Sequence, residues 1–360
     1  MLLVVNAGSS SLKLALFDRG LRQVAQARAE RIGTEGHGAA LREGLAEMGI
    51  GALDLRAAAH RVVHGGAGLT APCRLTGAVL AGIEACVPLA PLHNPANLSG
   101  MRALAGLAPD LAQYVSFDTA FHASNPRVAT EYALPAAERA RGLRRYGFHG
   151  LSYAALVRRV QSAPFAPVDR LLALHLGNGA SICAIRGGVS VATSMGYSPL
   201  DGLTMGTRAG AMDGNAVLRL AEVHGIEGAG RILNREAGLL GLGGAADLRS
   251  LRAAGTAEAD FAIEHFCYWA VRQAGSMIAA MGGVDAVAFT GGIGENDAGV
   301  RAGIAEGLGF VGARIDPLAN GRNEAILNQV NSNVAIWIVP AEEERQIAQE
   351  VIQVMAGERG

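Results

Sequence analysis

Positive charge in this 360-residue chain is carried by arginine everywhere except at one position: Lys13 is its only lysine. It follows Asn6-Ala7-Gly8-Ser9-Ser10-Ser11-Leu12, where a glycine and three hydroxyls can turn N–H and O–H groups toward an anion. A compact ammonium suits a phosphate oxygen as a point charge, whereas a guanidinium suits bidentate grips. Phosphate binding and a solvated hairpin lysine are both compatible with these residues, because the segment lacks the Gly-Lys-Ser/Thr ending of a Walker loop. Two arginines stand where they could grip a second anion. Arg61 lies in His60-Arg61-Val62-Val63-His64-Gly65-Gly66, and Arg208 ends Met205-Gly206-Thr207-Arg208. From separate loops they could hold a transferring phosphoryl group and an anionic acceptor; equally, each could form a structural ion pair.

Histidines gather between His60 and His175 in short polar contexts. These include Pro91-Leu92-His93-Asn94-Pro95, Phe117-Asp118-Thr119-Ala120-Phe121-His122 and Tyr146-Gly147-Phe148-His149-Gly150. His60 and His64 are four apart but lack the Glu of a zinc-helix motif, and Val62-Val63 argues for a strand. Singly, such histidines are more often structural. Together, without metal spacing, they point to a polar cleft.

These side chains need elements to hold them. Leu2 to Leu16 reads as strand, glycine turn, strand, and Leu171 to Ile185 repeats that shape around Gly177-Asn178-Gly179, which suggests two similar domains. Val284 to Thr290 reads as a buried strand, Gly291 to Asn296 as a glycine turn and Ala298 to Leu308 as a helix, a recurrent nucleotide-binding element. The dinucleotide G-x-G-x-x-G is absent, which disfavours a hydride-transfer cofactor. Thr193 to Arg208 reads as a long functional loop, and Gly238 to Gly244 as a mobile one. The helix from about Glu258 to Met281 sets Phe261, His265, Trp269, Gln273 and Met277 at four-residue steps, a ligand-lining face or, more in keeping with such spacing, a core or dimer-facing stripe.

Composition excludes other classes. Half the residues are hydrophobic, 18% are charged and the formal net charge is −1, so no basic face for nucleic acid is expected. Cys73, Cys86, Cys183 and Cys267 have no metal spacing and read as buried thiols of a reducing compartment. No signal-peptide n-region is evident, and the most apolar stretch is broken by glycines and Asp285, so a cytoplasmic protein without a membrane span is expected.

Taken in order, these motifs, with His175-Leu176-Gly177-Asn178-Gly179-Ala180-Ser181 and Phe289-Thr290-Gly291-Gly292-Ile293-Gly294-Glu295-Asn296, resemble the acetokinase family of the actin-like and sugar-kinase ATPase superfamily. The resemblance runs through essentially the whole chain. It implies an α/β fold of two ribonuclease-H-like domains, each a mixed sheet flanked by helices, with a nucleotide and substrate cleft between them. Residues 1–145, completed by 341–360, would form one domain and 146–340 the other. It implies reversible in-line transfer from ATP to acetate, giving acetyl phosphate and ADP, by a homodimer using Mg²⁺ or Mn²⁺. By resemblance, Asn6 and Glu343 hold the metal; Glu343 is one of three adjacent acids, Glu342 to Glu344, where the family typically has Asn-Glu-Glu. Lys13, His175, Leu176, Gly177, Asn178, Gly179, Asp247, Leu248, Arg249, Gly292, Ile293, Gly294, Glu295 and Asn296 serve the nucleotide. Arg61, Val63, Leu92, His93, Phe148 and Pro199 serve the short carboxylate, and Asp118, His149 and Arg208 are catalytic.

The chain departs from the family pattern in places. It looks compressed from about Ala29 to Ala59. Tyr197-Ser198 replaces a usual Phe-Thr ahead of Pro199, Asp201 a usual Glu, and Ser250 a usual Asp; Ala209 to Gly214 also differs. The neighbouring expectation is a propionate or butyrate kinase, since one methylene in an apolar pocket is worth only about 1–3 kcal/mol. A nucleotide-binding regulator without transfer is the expectation from another class.

Overall fold

The computed structural model describes residues 1–32, 36–51 and 54–358. The chain folds as two compact units, Met1–Ala123 with Phe148–Ala155 and Glu342–Gly360, and Ser124–Gly147 with Leu156–Ala341. Of the stretch read as compressed, residues 33–35 and 52–53 lie outside the described residues.

The first unit is built on six strands: β1 (Leu2–Ala7), β2 (Ser11–Phe17), β3 (Gln23–Glu30), β4 (Ala57–Val62), β5 (Cys73–Arg74) and β6 (Gln113–Phe117). Their order is β3-β2-β1-β4-β6-β5. Pairing of β1 with β2 and of β2 with β3 is antiparallel, while β4 runs parallel to both β1 and β6. Alternation along β1 and β2 splits their side chains between two cores. Leu3, Val5, Leu12, Leu14 and Leu16 pack with Leu41 and Leu45 of the helix His37–Glu47 and Leu104 of the helix Asn94–Leu107. Leu2, Val4, Ala15 and Phe17 face Ile347, Ala348 and Val351 of the helix Glu343–Gly357.

The second unit repeats the scheme with β7 (Arg170–Leu176), β8 (Ala180–Arg186), β9 (Val189–Thr193), β10 (Ala286–Thr290) and β11 (Ala335–Ile338), ordered β9-β8-β7-β10-β11. Its first three strands are again antiparallel, and β10 is parallel to β7 and β11. The internal repeat suggested by the two glycine hairpins is therefore a repeat of sheet topology, and the mixed α/β architecture is as expected.

Three local readings are corrected. Gly291–Asn296 is a short helix, started by Gly291 at φ +80 and bonded back to Gly291 N–H by the Glu295 carboxylate at 3.0 Å. Gly238–Gly243 is also a short helix, with Gly238 and Leu239 buried. On the helix Ala257–Met281 the buried face is Ala262, Phe266, Ala270, Ala274, Met277 and Met281, so of the expected stripe Met277 is core; Phe261 is exposed, and its ring and that of Trp269 flank His265. Of the cysteines, all free, Cys86 and Cys183 are buried, but Cys73 and Cys267 are only half-buried.

Candidate active site

In the first unit the polar residues collect at the carboxyl ends of the parallel strands, where open α/β sheets place ligands. Asn6 is next to last in β1, Arg61 next to last in β4, and Asp118 follows β6 directly. Arg61 donates to Asp118 through Nε at 3.0 Å and Nη2 at 2.6 Å, and through Nη1 to Asn6 Oδ1 at 3.3 Å. The Asp118 carboxylate is buried, at 1% exposure for the residue. Burial alone would drive the guanidinium toward neutrality, but the charges of Asp118 and Glu343 outweigh it and raise the Arg61 pKa. Burial pushes the Asp118 carboxyl up, with Arg61 pulling it back; the bidentate geometry is that of an ionised carboxylate.

The wall around this pair is made by tight turns. Asp118 accepts the Gly150 N–H on its backbone carbonyl at 2.8 Å, and a Cβ at Gly150 would stand 2.3 Å from that oxygen, so only glycine fits. The preceding His149 is held at φ +59, left-handed backbone that a histidine adopts at a cost. Phe148 is fully buried; its ring lies 5.5 Å from the His64 ring and its carbonyl is 2.9 Å from His122 Nε2. Val63 is buried just past β4, Leu92 is exposed, and His93 precedes the helix Asn94–Leu107, close enough to lower the Asp118 pKa. Lys13, exposed on β2, is the register partner of Asn6 and of Arg28 on β3, and with Arg28, Gln26 and Glu344 it lines a polar cavity of about 440 Å³. Glu343 and Glu344 begin the helix Glu343–Gly357, a favourable place for negative charge.

The oxygen donors here suit a hard divalent cation. Glu343 lies close enough for its charge to act on both Asp118 and Arg61, and the carboxamide oxygen of Asn6 accepts from the same Arg61 guanidinium. Mg²⁺ is held by one or two carboxylates, phosphate oxygens and water, so a dense acidic cluster is not required.

The second unit carries its own constellation. Gly177, Asn178, Asp247, Leu248, Arg249, Gly292, Ile293 and Asn296, all anticipated from sequence, line one cavity of about 480 Å³ together with Ala246 and Asp297. His175 and Leu176 sit in β7 ahead of it, Gly179 closes its hairpin by accepting the Gly177 N–H at 3.0 Å, and Gly294 is buried beneath it. Glu295 turns instead to the N–H groups of Gly291 and Ala341, both at 3.0 Å. Asp247 caps the helix Leu248–Ala254, accepting from Ser250 N–H at 3.0 Å and Ser250 Oγ at 2.7 Å, so the unusual serine completes a cap.

Arg208 lies in the same unit, half-buried. Its Nη1 donates to the Pro199 carbonyl at 3.1 Å, and no acidic side chain pairs with it among the described residues. Burial lowers its pKa. The loop carrying it is compressed against neighbours: a Cβ at Gly206 would stand 2.5 Å from Asn178 Oδ1, and one at Gly238 2.1 Å from the Met205 carbonyl. The two arginines that looked alike in sequence therefore differ, Arg61 ion-paired and Arg208 held only by neutral acceptors. Sequence reading passed over Asn94 and Asn97, both buried; between two prolines Asn94 looks like ordinary turn chemistry.

Comparison with known proteins shows the family. Residues 39–349 match the model of the acetokinase family. The chain is 40% identical to the acetate kinase of Methylocella silvestris over 393 aligned positions, covering 98% of this chain and 97% of that protein. Among solved structures, an acetate kinase of Porphyromonas gingivalis superposes with a TM-score of 0.91 at 33% identity, covering 98% of this chain and 99% of that one. A propionate kinase of Francisella tularensis gives a TM-score of 0.91 at 34% identity, covering 97% and 98%. By sequence and by fold, the chain belongs to the acetokinase family.

Proposed function

We propose that the protein is an acetate kinase, transferring the γ-phosphoryl group of ATP to acetate and, in reverse, from acetyl phosphate to ADP. The observation that carries this is the near full-length, 40% identity to the Methylocella silvestris acetate kinase. The chemistry of the site supports it. Acetate is ionised at neutral pH and needs no strong base; the barrier is the approach of one anion to another. Arg61 holds the carboxylate with the donors that Asp118 and Asn6 leave free, and Asp118 orients that guanidinium rather than removing a proton. Val63, Leu92, Phe148 and Pro199 would meet the methyl group. Arg208, lacking a counter-charge, and His149 stabilise the negative charge of the transferring phosphoryl group. Asn6 and Glu343 would hold Mg²⁺, which when bound neutralises phosphate charge; Lys13 supplies a further cation. Gly177, Asn178, Asp247, Arg249 and Gly292 to Asn296 belong to the nucleotide side.

A cytoplasmic homodimer is part of the same proposal. Leu218 and Val223, exposed ahead of the kink at Gly225 in Gly214–Arg231, and Ile226, exposed just past it, are apolar surface that a dimer could cover. No helix among the described residues is long and apolar enough to cross a membrane.

The test is ATP- and Mg²⁺-dependent acyl phosphate formation, trapped with hydroxylamine, using acetate, propionate and butyrate side by side. Acetate is expected to give the highest kcat/KM. Preference for propionate, the activity named for the Francisella tularensis relative, would change the acid and keep the transfer; inertness with all three would remove the kinase reading.

A further inference from the structure

Asn94 and Asn97 stand about one turn apart on the helix Asn94–Leu107, at 0% and 3% exposure. A buried carboxamide is costly unless both its ends are used, and here both are. Asn97 Oδ1 accepts the Val63 N–H at 3.1 Å, while its Nδ2 donates to the Ala7 carbonyl at 2.7 Å. Asn94 Oδ1 accepts the His64 N–H at 3.1 Å and its Nδ2 donates back to the His64 carbonyl at 3.0 Å. The register of β1 with β4 ends at Val5 and His60, so these side chains take over where the strands stop pairing. The helix presses close on the same point: a Cβ at Gly100, three residues on, would stand 2.9 Å from the Ala7 Cβ.

We infer that Asn97 is a positioning residue whose single carboxamide sets Val63 and Ala7 relative to each other, and through them the acyl pocket and the Asn6 end of β1. The inference rests on the proposed roles of Val63 and Asn6. Its two ends do different work. The oxygen fixes the backbone of Val63 and hence the room for the acyl chain. The NH₂ fixes the carbonyl of Ala7, adjoining Asn6, and hence the metal and phosphate side. Asn94 holds His64 in the same way and keeps the strand extension from peeling off.

The experiment separates the two ends. Asn97→Ala removes both bonds. Asn97→Asp keeps an acceptor for Val63 but sets an oxygen against the Ala7 carbonyl. Gly100→Ala displaces Ala7 while leaving Asn97 in place. For each variant, the propionate-to-acetate ratio of kcat/KM, the Mg²⁺ half-saturation and the melting temperature are measured. Asn97→Ala is expected to shift the acid ratio and the Mg²⁺ half-saturation each by about tenfold, the order of effect of a displacement under 1 Å in a reacting geometry. Asn97→Asp and Gly100→Ala are expected to raise the Mg²⁺ half-saturation while the acid ratio stays near wild type. Folded variants with lowered melting temperature but both kinetic readouts unchanged would reduce Asn97 to packing. If Asn97→Ala does not fold, the other two decide, and an unchanged Mg²⁺ half-saturation in both overturns the inference. A wild type inert with every acid removes the functional reading beneath it, and this inference with it; an active wild type with insensitive variants removes this inference alone.

Discussion

Arg61 and Arg208 are the same residue type proposed for one reaction, yet their surroundings demand opposite responses to removal. Arg61 balances a buried carboxylate. Arg61→Ala leaves Asp118 without its counter-charge, so activity should be lost together with about 3–5 kcal/mol of stability, read as a clear drop in melting temperature. Arg208 has only neutral acceptors, and burial already disfavours its charge. Arg208→Ala should therefore lower kcat by roughly 10³-fold with a melting temperature unchanged or slightly raised. A large stability loss in Arg208→Ala would mean that its charge is structurally paired. Sequence could nominate both arginines from their glycine-flanked settings. It could not tell them apart, because Asp118 is remote in the chain and meets Arg61 only through the pairing of β4 with β6.

At the level of elements, what sequence reveals depends on where the structural information is stored. The glycine hairpins β1–β2 and β7–β8 were legible because alternation and turn chemistry are local signals. Gly291–Asn296 and Gly238–Gly243 were not, since glycine-rich six-residue stretches have poor intrinsic helix propensity. In the first, the fold supplies what propensity lacks, through the left-handed Gly291 and the inward-turned Glu295. The residues lining the 480 Å³ cavity of the second unit were nearly all named in advance, but the contact of Gly206 with Asn178 was invisible without coordinates. That contact makes its own prediction. Gly206→Ala brings a Cβ to 2.5 Å from Asn178 Oδ1 and 2.7 Å from the Ala246 carbonyl. One methyl group should therefore raise the ATP KM and lower kcat together, by about tenfold or more. A change in kcat alone, with ATP binding measured calorimetrically as in wild type, would mean that the cavity lined by Asn178 and Ala246 is not where ATP binds or not where the strain falls.

Across the whole molecule, the buried histidines set the response to acid. His60, bonded to Gln113 Oε1 at 2.7 Å, is buried with His64 and His122, and desolvation pulls all three down to about 4 from an ordinary 6.5. Between those values the unfolded chain takes up protons that the folded chain refuses. Stability is therefore full above about pH 6.5 and drains as pH falls toward 4, by roughly 1.4 kcal/mol per pH interval of one at each site. Melting temperature should be level from pH 8 to about 7 and fall steeply below about pH 6; a flat profile down to pH 5 would show that these rings take up protons in the fold as readily as in the unfolded chain. The helix Glu343–Gly357 carries a different consequence, one of time. It covers the first sheet's Leu2, Val4, Ala15 and Phe17, yet it is synthesised only after Ser124–Gly147 and Leu156–Ala341 of the second unit. On a ribosome adding about 5–20 residues per second, that sheet waits on the order of 10 s or more with one apolar face uncovered. Ser124–Gly147 and Leu156–Ala341 can complete the second unit meanwhile, so the first unit, begun ahead of the second, is completed after it. A nascent chain stalled before Glu343 should depend heavily on chaperones, and one released there should aggregate.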